Sequence, residues 1–302
     1  MKLVTYKFDN NGPVPGVVLD NQVFSLNTIS SGRLPSDMRS FLELGDSGMS
    51  LARDVITNAS GGVGIDSVKL MSPVTNPSKV IAIGLNYMDH IRETGMDMPN
   101  LATMFCKYPS AIIGSGDEIR WRNTLTNKVD YEAELAVVIG KTARNVSQAH
   151  AFDYIAGYMN CNDISARDLQ FMPGDQWLRG KCLDTFCPLG PYLVTRDEIA
   201  DPDNLSIKCL VNGTPLQDSS TNEMIYKIPY LIEYLSEAFT LLPGDVIATG
   251  TPHGVGAFRK PPIWLKHGDV VTVEIEGLGQ LTNNCVEEEM SVGVYRFNGT
   301  ER

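Results

Sequence analysis

Asp130, Glu132 and Glu134 alternate with Tyr131 and Ala133 in VDYEAELAVVIG, and the segment then runs apolar from Leu135 to Ile139. Alternation of period two is a strand signature, and residues two apart share one face. Carboxylates gathered on one strand face repel unless a cation lies between them. Asp163, which closes the apolar run in GYMNCNDISARDLQ, supplies a third acid from a second strand. Two glutamates and one aspartate make an all-oxygen donor set. It leaves about half of an octahedral shell for water or substrate, which suits Mg²⁺ or Mn²⁺. Zinc would recruit His or Cys, and neither stands at metal spacing. E-x-E alone also fits a solvated strand face paired with Lys or Arg, so the spacing leaves both readings open.

Three further stretches carry groups with chemistry. GLNYMDHIRETG places His90 and Glu93 three apart, on one face of a helix. A carboxylate on one imidazole nitrogen fixes the tautomer and leaves the other nitrogen to take a proton from water. His150 and Asp153 share that spacing, so spacing does not choose between the pairs. In QWLRGKCLDTFCPLGP, Lys181 precedes an apolar stretch that would partly bury its ammonium; a surface lysine is the alternative. LLPGDVIATGTPHGVG ends a strand in Thr249, Gly250 and Thr251, whose hydroxyls and amides suit a carboxylate or simply form a turn. Arg259 and Lys260 in FRKPPIWLKHG read as a solvated loop, or as contacts to a distal substrate carboxylate.

These groups need a scaffold, and the chain provides one. Residues 1–73 read as a small α+β unit: strands in KLVTYKF and GVVLDNQVFSL, then a helix in SDMRSFLELG with Ser36 as cap and Gly45 as stop. NASGGVGIDSVKLMSPVTNPSK is the seam, and residues 74–302 form the larger unit. There, many short strands are interrupted by helical intervals at MDHIRETG, SQAHAF and IPYLIEYLSEAF. That is an α+β, predominantly β pattern rather than an alternating βαβ series. No glycine-rich nucleotide loop follows a strand.

The formal charge of −11 argues against a nucleic-acid surface and an anionic membrane surface. Six scattered cysteines, none in a C-x-x-C pair, read as reduced thiols. The N-terminal residues lack the apolar core of a signal peptide, and no segment approaches the length of a membrane span. A cytoplasmic protein is expected.

Taken in order from Gly84 to Gly256, these stretches, together with FCKYPSAIIGSGDEI, resemble the fumarylacetoacetate hydrolase family, in its acylpyruvase and oxaloacetate decarboxylase branch. The resemblance implies a β-roll catalytic domain, a homodimer and a Mg²⁺ or Mn²⁺ site held by Glu132, Glu134 and Asp163. It implies a His90–Glu93 dyad on a lid helix, which selects His90 over His150, and an active-site Lys181. Arg167, Gln170 and Thr251 match the family's substrate-binding positions. The reaction implied is hydrolysis of the C3–C4 bond of a 2,4-dioxo acid to pyruvate and a second acid. Oxaloacetate decarboxylation and hydroxymuconate-type isomerisation are alternatives on the same site, and a non-catalytic binder of 2-oxo acids is the rival from another class. The lid has Gly95 and Pro99 and no apolar stripe of its own, and the sequence leaves open whether it is ordered without ligand.

Overall fold

The computed structural model describes residues 1–9, 12–174 and 176–289; residues 290–302 of the expected larger unit lie outside them. Among the described residues a twelve-stranded sheet and a five-stranded sheet dominate, with helices peripheral. The predominantly β α+β expectation holds, and neither sheet closes into a barrel.

The apolar run Leu135–Ile139 explains where the core sits. Every residue of the strand Ala133–Ile139 is buried, as expected of a central strand covered on both faces. Leu135, Val137 and Ile139 enter the core shared with the five-stranded sheet, alongside Ile207, Val271 and Val273. Ala136 and Val138 face the opposite core with Leu3, Phe41 and Leu42. The strand is flanked by Ile155–Asn162 and Val246–Ala248, both antiparallel to it.

The VDYEAELAVVIG segment is not one unbroken strand. Val129–Asp130 pairs with Ser165–Ala166, and the ladder resumes only at Ala133. In the gap the Glu132 amide donates to Asn162 Oδ1 at 3.0 Å, and its carbonyl accepts from the Asp163 amide at 2.9 Å. This cross-link brings the end of one strand beside the end of the other.

The N-terminal residues differ from expectation in two places. GVVLDNQVFSL folds into a hairpin, Val14–Leu19 against Gln22–Ser25, because Asp20 and Asn21 take positive φ of 48° and 60° and form a two-residue turn. The helix of SDMRSFLELG is Met38–Glu43, capped by Asp37 rather than Ser36, whose neighbour's carboxylate accepts from the Ser40 amide at 2.9 Å. Gly45, expected as a stop, opens a second helix, Gly45–Ile56; its φ of +56° makes the corner between the two. The first strand, Lys2–Lys7, pairs with Val14–Leu19 on one edge and with Cys187–Thr195 on the other, so these strands extend the large sheet.

Candidate active site

Glu132, Glu134 and Asp163 are all buried, and each offers an oxygen within 4.8 Å of the others'. Glu134 projects from the strand Ala133–Ile139, Glu132 from the break before it, and Asp163 from just beyond Ile155–Asn162. Lys181 Nζ donates to Glu132 Oε2 at 2.6 Å and to Asp163 Oδ2 at 2.7 Å. Burial works against the charged form of Glu132, but the Lys181 ammonium and Arg167 guanidinium outweigh it and hold this carboxyl well below the usual range. Glu134 is the opposite case. Burial, then the charges of Asp163 and Glu132, push its carboxyl well above the usual range, and the Gly250 amide at 3.0 Å only partly opposes this. An all-oxygen set in which one buried acid lacks a full cationic partner fits a divalent cation of the Mg²⁺ or Mn²⁺ type.

The remaining expected residues converge on the same place. One cavity is lined by His90, Glu132, Glu134, Arg167, Gln170, Lys181 and Thr251, with Phe105, Phe171, Trp177 and Phe258 as its apolar walls. His90 sits on the helix Met88–Thr94, which Gly95 ends in the left-handed conformation. His90 Nδ1 lies 3.1 Å from Glu93 Oε2, and Glu93 Oε1 accepts from the Gly254 amide at 2.9 Å. His90 is thus buried and oriented. Asp89 anchors the same helix: Oδ2 accepts from Ser219 Oγ at 2.6 Å and Oδ1 from the His253 amide at 3.3 Å. His150 and Asp153 keep the same spacing 3.5 Å apart, but their side chains are 71% and 62% exposed. Burial separates the two pairs where spacing did not.

Arg167 and Thr251 are fixed by partners of their own. Arg167 Nε donates to Asp130 Oδ2 at 2.8 Å, and Nη1 reaches Glu132 Oε1 at 2.7 Å and Gln170 Oε1 at 2.9 Å. Its Nη2 is buried without a partner, an unspent donor on a residue that lines the cavity. Thr251 Oγ1 accepts from Gln217 Nε2 at 2.8 Å. Arg259 donates to the carbonyls of Gly254 and Leu216, so it serves its loop.

Two buried side chains at the site are absent from the sequence reading. Lys107, on the edge strand Thr103–Lys107, donates to Asp163 Oδ1 at 2.5 Å and to the Ile164 carbonyl at 3.1 Å. Gln217, on Thr214–Ser220, orients Thr251 and accepts from the Ala133 amide at 2.9 Å. Lys107 follows Cys106 in an unremarkable strand, and no local pattern marks either residue. A second cleft beside the N-terminal helices is lined by Asp46, Arg53, Lys141 and Asp197, but those charges pair among themselves at its rim.

Residues 79–286 match the model of the fumarylacetoacetate (FAA) hydrolase C-terminal domain. The chain belongs to the fumarylacetoacetate hydrolase family. Like other members it is an enzyme of a divalent-metal-dependent group. It is 45% identical over 291 residues to a mitochondrial oxaloacetate tautomerase of Xenopus laevis, covering 95% of this chain and 90% of that one. A mitochondrial oxaloacetate tautomerase of Homo sapiens is 44% identical over 290 residues, with 95% and 92% covered. Among solved structures, the maleylpyruvate hydrolase of Sphingobium in complex with manganese(II) and pyruvate superposes with a TM-score of 0.77. It is 30% identical, with 95% of this chain and 99% of that chain covered. The mitochondrial relatives overturn the expected cytoplasmic location. The residues behind that expectation form the first strand and lead into the second, so they report on folding and carry no information on compartment.

Proposed function

We propose that this chain is a divalent-metal-dependent enzyme acting at C3 of a small 2-oxo acid, with oxaloacetate as the leading substrate. The observation that carries this reading is the convergence of Glu132, Glu134, Lys181, Arg167 and His90 on one cavity, with Asp163 grouped with the two glutamates and Glu93 bonded to His90. Glu132, Glu134 and Asp163 would hold Mg²⁺ or Mn²⁺, which would supply Lewis-acid stabilisation of charge on the 2-oxo acid. Arg167 Nη2 pairs with a substrate carboxylate, and Thr251 and Gln170 orient the molecule. Lys181 places positive charge beside the C2 oxygen as electron density moves there. His90, held through Nδ1 by Glu93, moves a proton at Nε2.

Removing a proton from C3 and placing one on the C2 oxygen, with no bond between carbons broken, interconverts keto and enol oxaloacetate, the activity named for the relatives from Xenopus laevis and Homo sapiens. Where C4 is a carbonyl, the same His90 takes a proton from water, which attacks C4 and cleaves the C3–C4 bond. The complete dyad favours this hydrolysis of acylpyruvate-type substrates, and the Sphingobium hydrolase shares the fold. Loss of CO₂ from oxaloacetate draws on the same electron sink without water. Enol absorbance, pyruvate and CO₂ followed with oxaloacetate and with acylpyruvates, each with Mg²⁺ or Mn²⁺, separate these outcomes. Binding of all of them without any product would refute catalysis.

We further propose that residues 74–289 hold the catalytic unit within the larger one, since the residues lining the cavity begin at Ile83. The working form is a homodimer, supported by exposed Met98, Leu101 and Met104 on and beside the edge strand Thr103–Lys107. Light scattering tests the oligomeric state, and a concentration-independent monomer would refute it.

A further inference from the structure

We infer that Asp130, the acid beside the metal-binding pair, is the positioning residue for Arg167 and links it to the loop that holds the His90–Glu93 dyad. Asp130 is fully buried. Its Oδ1 accepts from the Tyr131 amide at 2.9 Å and the Gly256 amide at 2.7 Å. Its Oδ2 accepts from the Ala257 amide at 3.0 Å and from Arg167 Nε at 2.8 Å. A carboxylate offers about four lone-pair sites, so all are spent and none is left for a cation. Asp130 accordingly stands outside the group formed by Glu132, Glu134 and Asp163.

The consequence for Arg167 is geometric. The guanidinium is a rigid plane, and fixing two of its nitrogens fixes the third. Asp130 holds Nε, while Glu132 and Gln170 hold Nη1, so the direction of the unpartnered Nη2 is set. The loop side is equally direct. Gly254, two residues before the amides that Asp130 binds, donates to Glu93 Oε1 and accepts from Tyr131 Oη at 3.1 Å. Phe258, one residue after them, meets the His90 ring edge-on at 5.8 Å. A side chain at Gly256 would place its Cβ 2.7 Å from Asp130 Oδ1 and 1.9 Å from the Ile263 carbonyl, so only glycine lets this loop close on Asp130. One carboxylate therefore sets both the anion-binding arm and the proton-transfer arm. The inference rests on Arg167 being the anion contact.

Asp130→Asn keeps the shape and turns one acceptor into a donor facing the amides or the guanidinium. With Mn²⁺ saturating, oxalate is expected to bind roughly 10- to 100-fold more weakly by calorimetry, the scale of one lost charge-assisted bond. Free Mn²⁺ measured by electron paramagnetic resonance should report metal affinity within about twofold of wild type, since Asp130 has no lone pair for a cation. In an Arg167→Lys background, which lacks the fork, Asp130→Asn should cost oxalate affinity nothing further. Additive losses would mean a structural role only and overturn the proposal. Should Asp130→Asn fail to fold, [¹⁵N]arginine-labelled wild type gives a second reading. The Nε–H signal that disappears in Arg167→Lys must be protected from exchange, and a freely exchanging signal overturns the proposal. Oxalate failing to bind the wild type removes the anion role of Arg167 and this inference with it. Oxalate binding without turnover of any 2-oxo acid refutes only the reaction.

Discussion

Lys107 Nζ lies 2.5 Å from Asp163 Oδ1, and both side chains are 1% exposed. With Lys181 on Oδ2, Asp163 has an ammonium on each oxygen. Removing Lys107 leaves Asp163 buried with Lys181 as its one ammonium, at a cost between about 1 kcal/mol and the about 3–5 kcal/mol of a buried charge left without compensation. Lys107→Met is therefore expected to lose stability on that scale in urea unfolding. A loss below 1 kcal/mol, on the scale of an exposed pair, would count against the sealed pair.

Glu134 predicts how metal binding depends on pH. Its folded-state carboxyl ionises above its unfolded value, so in the metal-free protein it retains a proton that the unfolded chain has released. That contribution to stability is complete below the ordinary carboxylate value and is lost as pH rises through the raised one. A divalent cation replaces the proton, so binding of Mg²⁺ or Mn²⁺ should release protons and strengthen with rising pH. Calorimetric titrations in buffers of different ionisation heat measure the release. Identical heats in both buffers would refute it.

The His90–Glu93 dyad separates two reactions on one site. His90→Ala is expected to lower hydrolysis of acylpyruvates by roughly 10²- to 10⁴-fold, the range for a lost general base. Decarboxylation of oxaloacetate, which needs no water attack, should fall less. Equal and small losses in both would make the dyad a structural feature of the helix.

Gly84 is a tight-contact test of the cavity wall. A Cβ there would lie 2.4 Å from Trp177 Cζ3, and Trp177 is also edge-on to Phe105 at 5.6 Å. Gly84→Ala should displace the indole and cost about 1–3 kcal/mol by overpacking. The thermal midpoint and the tryptophan emission report this together. An unchanged spectrum with wild-type stability would mean that the wall yields freely.

The candidate site was legible through the resemblance to a family, because local spacing left E-x-E, the two His–acid pairs and Lys181 each with two readings. Glu132, Glu134, Asp163 and Lys181 stand together as the resemblance implied, and Lys181 and Arg167 supply cations to Glu132. The break in the strand at Tyr131–Glu132 was not legible, because it depends on Asn162 capturing the Glu132 amide across the sheet. Lys107 and Gln217 were missed for a related reason. Each reaches its partner over more than thirty residues of sequence, at a position whose neighbours show no pattern. Burial decided between His90 and His150, and burial is a property of the assembled fold. The helix at Gly45–Ile56 was hidden by a glycine read as a stop, where its positive φ makes a corner instead.

The pairing of Lys2–Lys7 with Cys187–Thr195 constrains how this chain can be cut. A protein starting at residue 74 would strip the strands that cover Leu193 and Val194, leaving open amides and carbonyls along an apolar strand. Such an edge recruits other chains. The first seventy residues thus act as a seal on one edge of the sheet that carries Glu134.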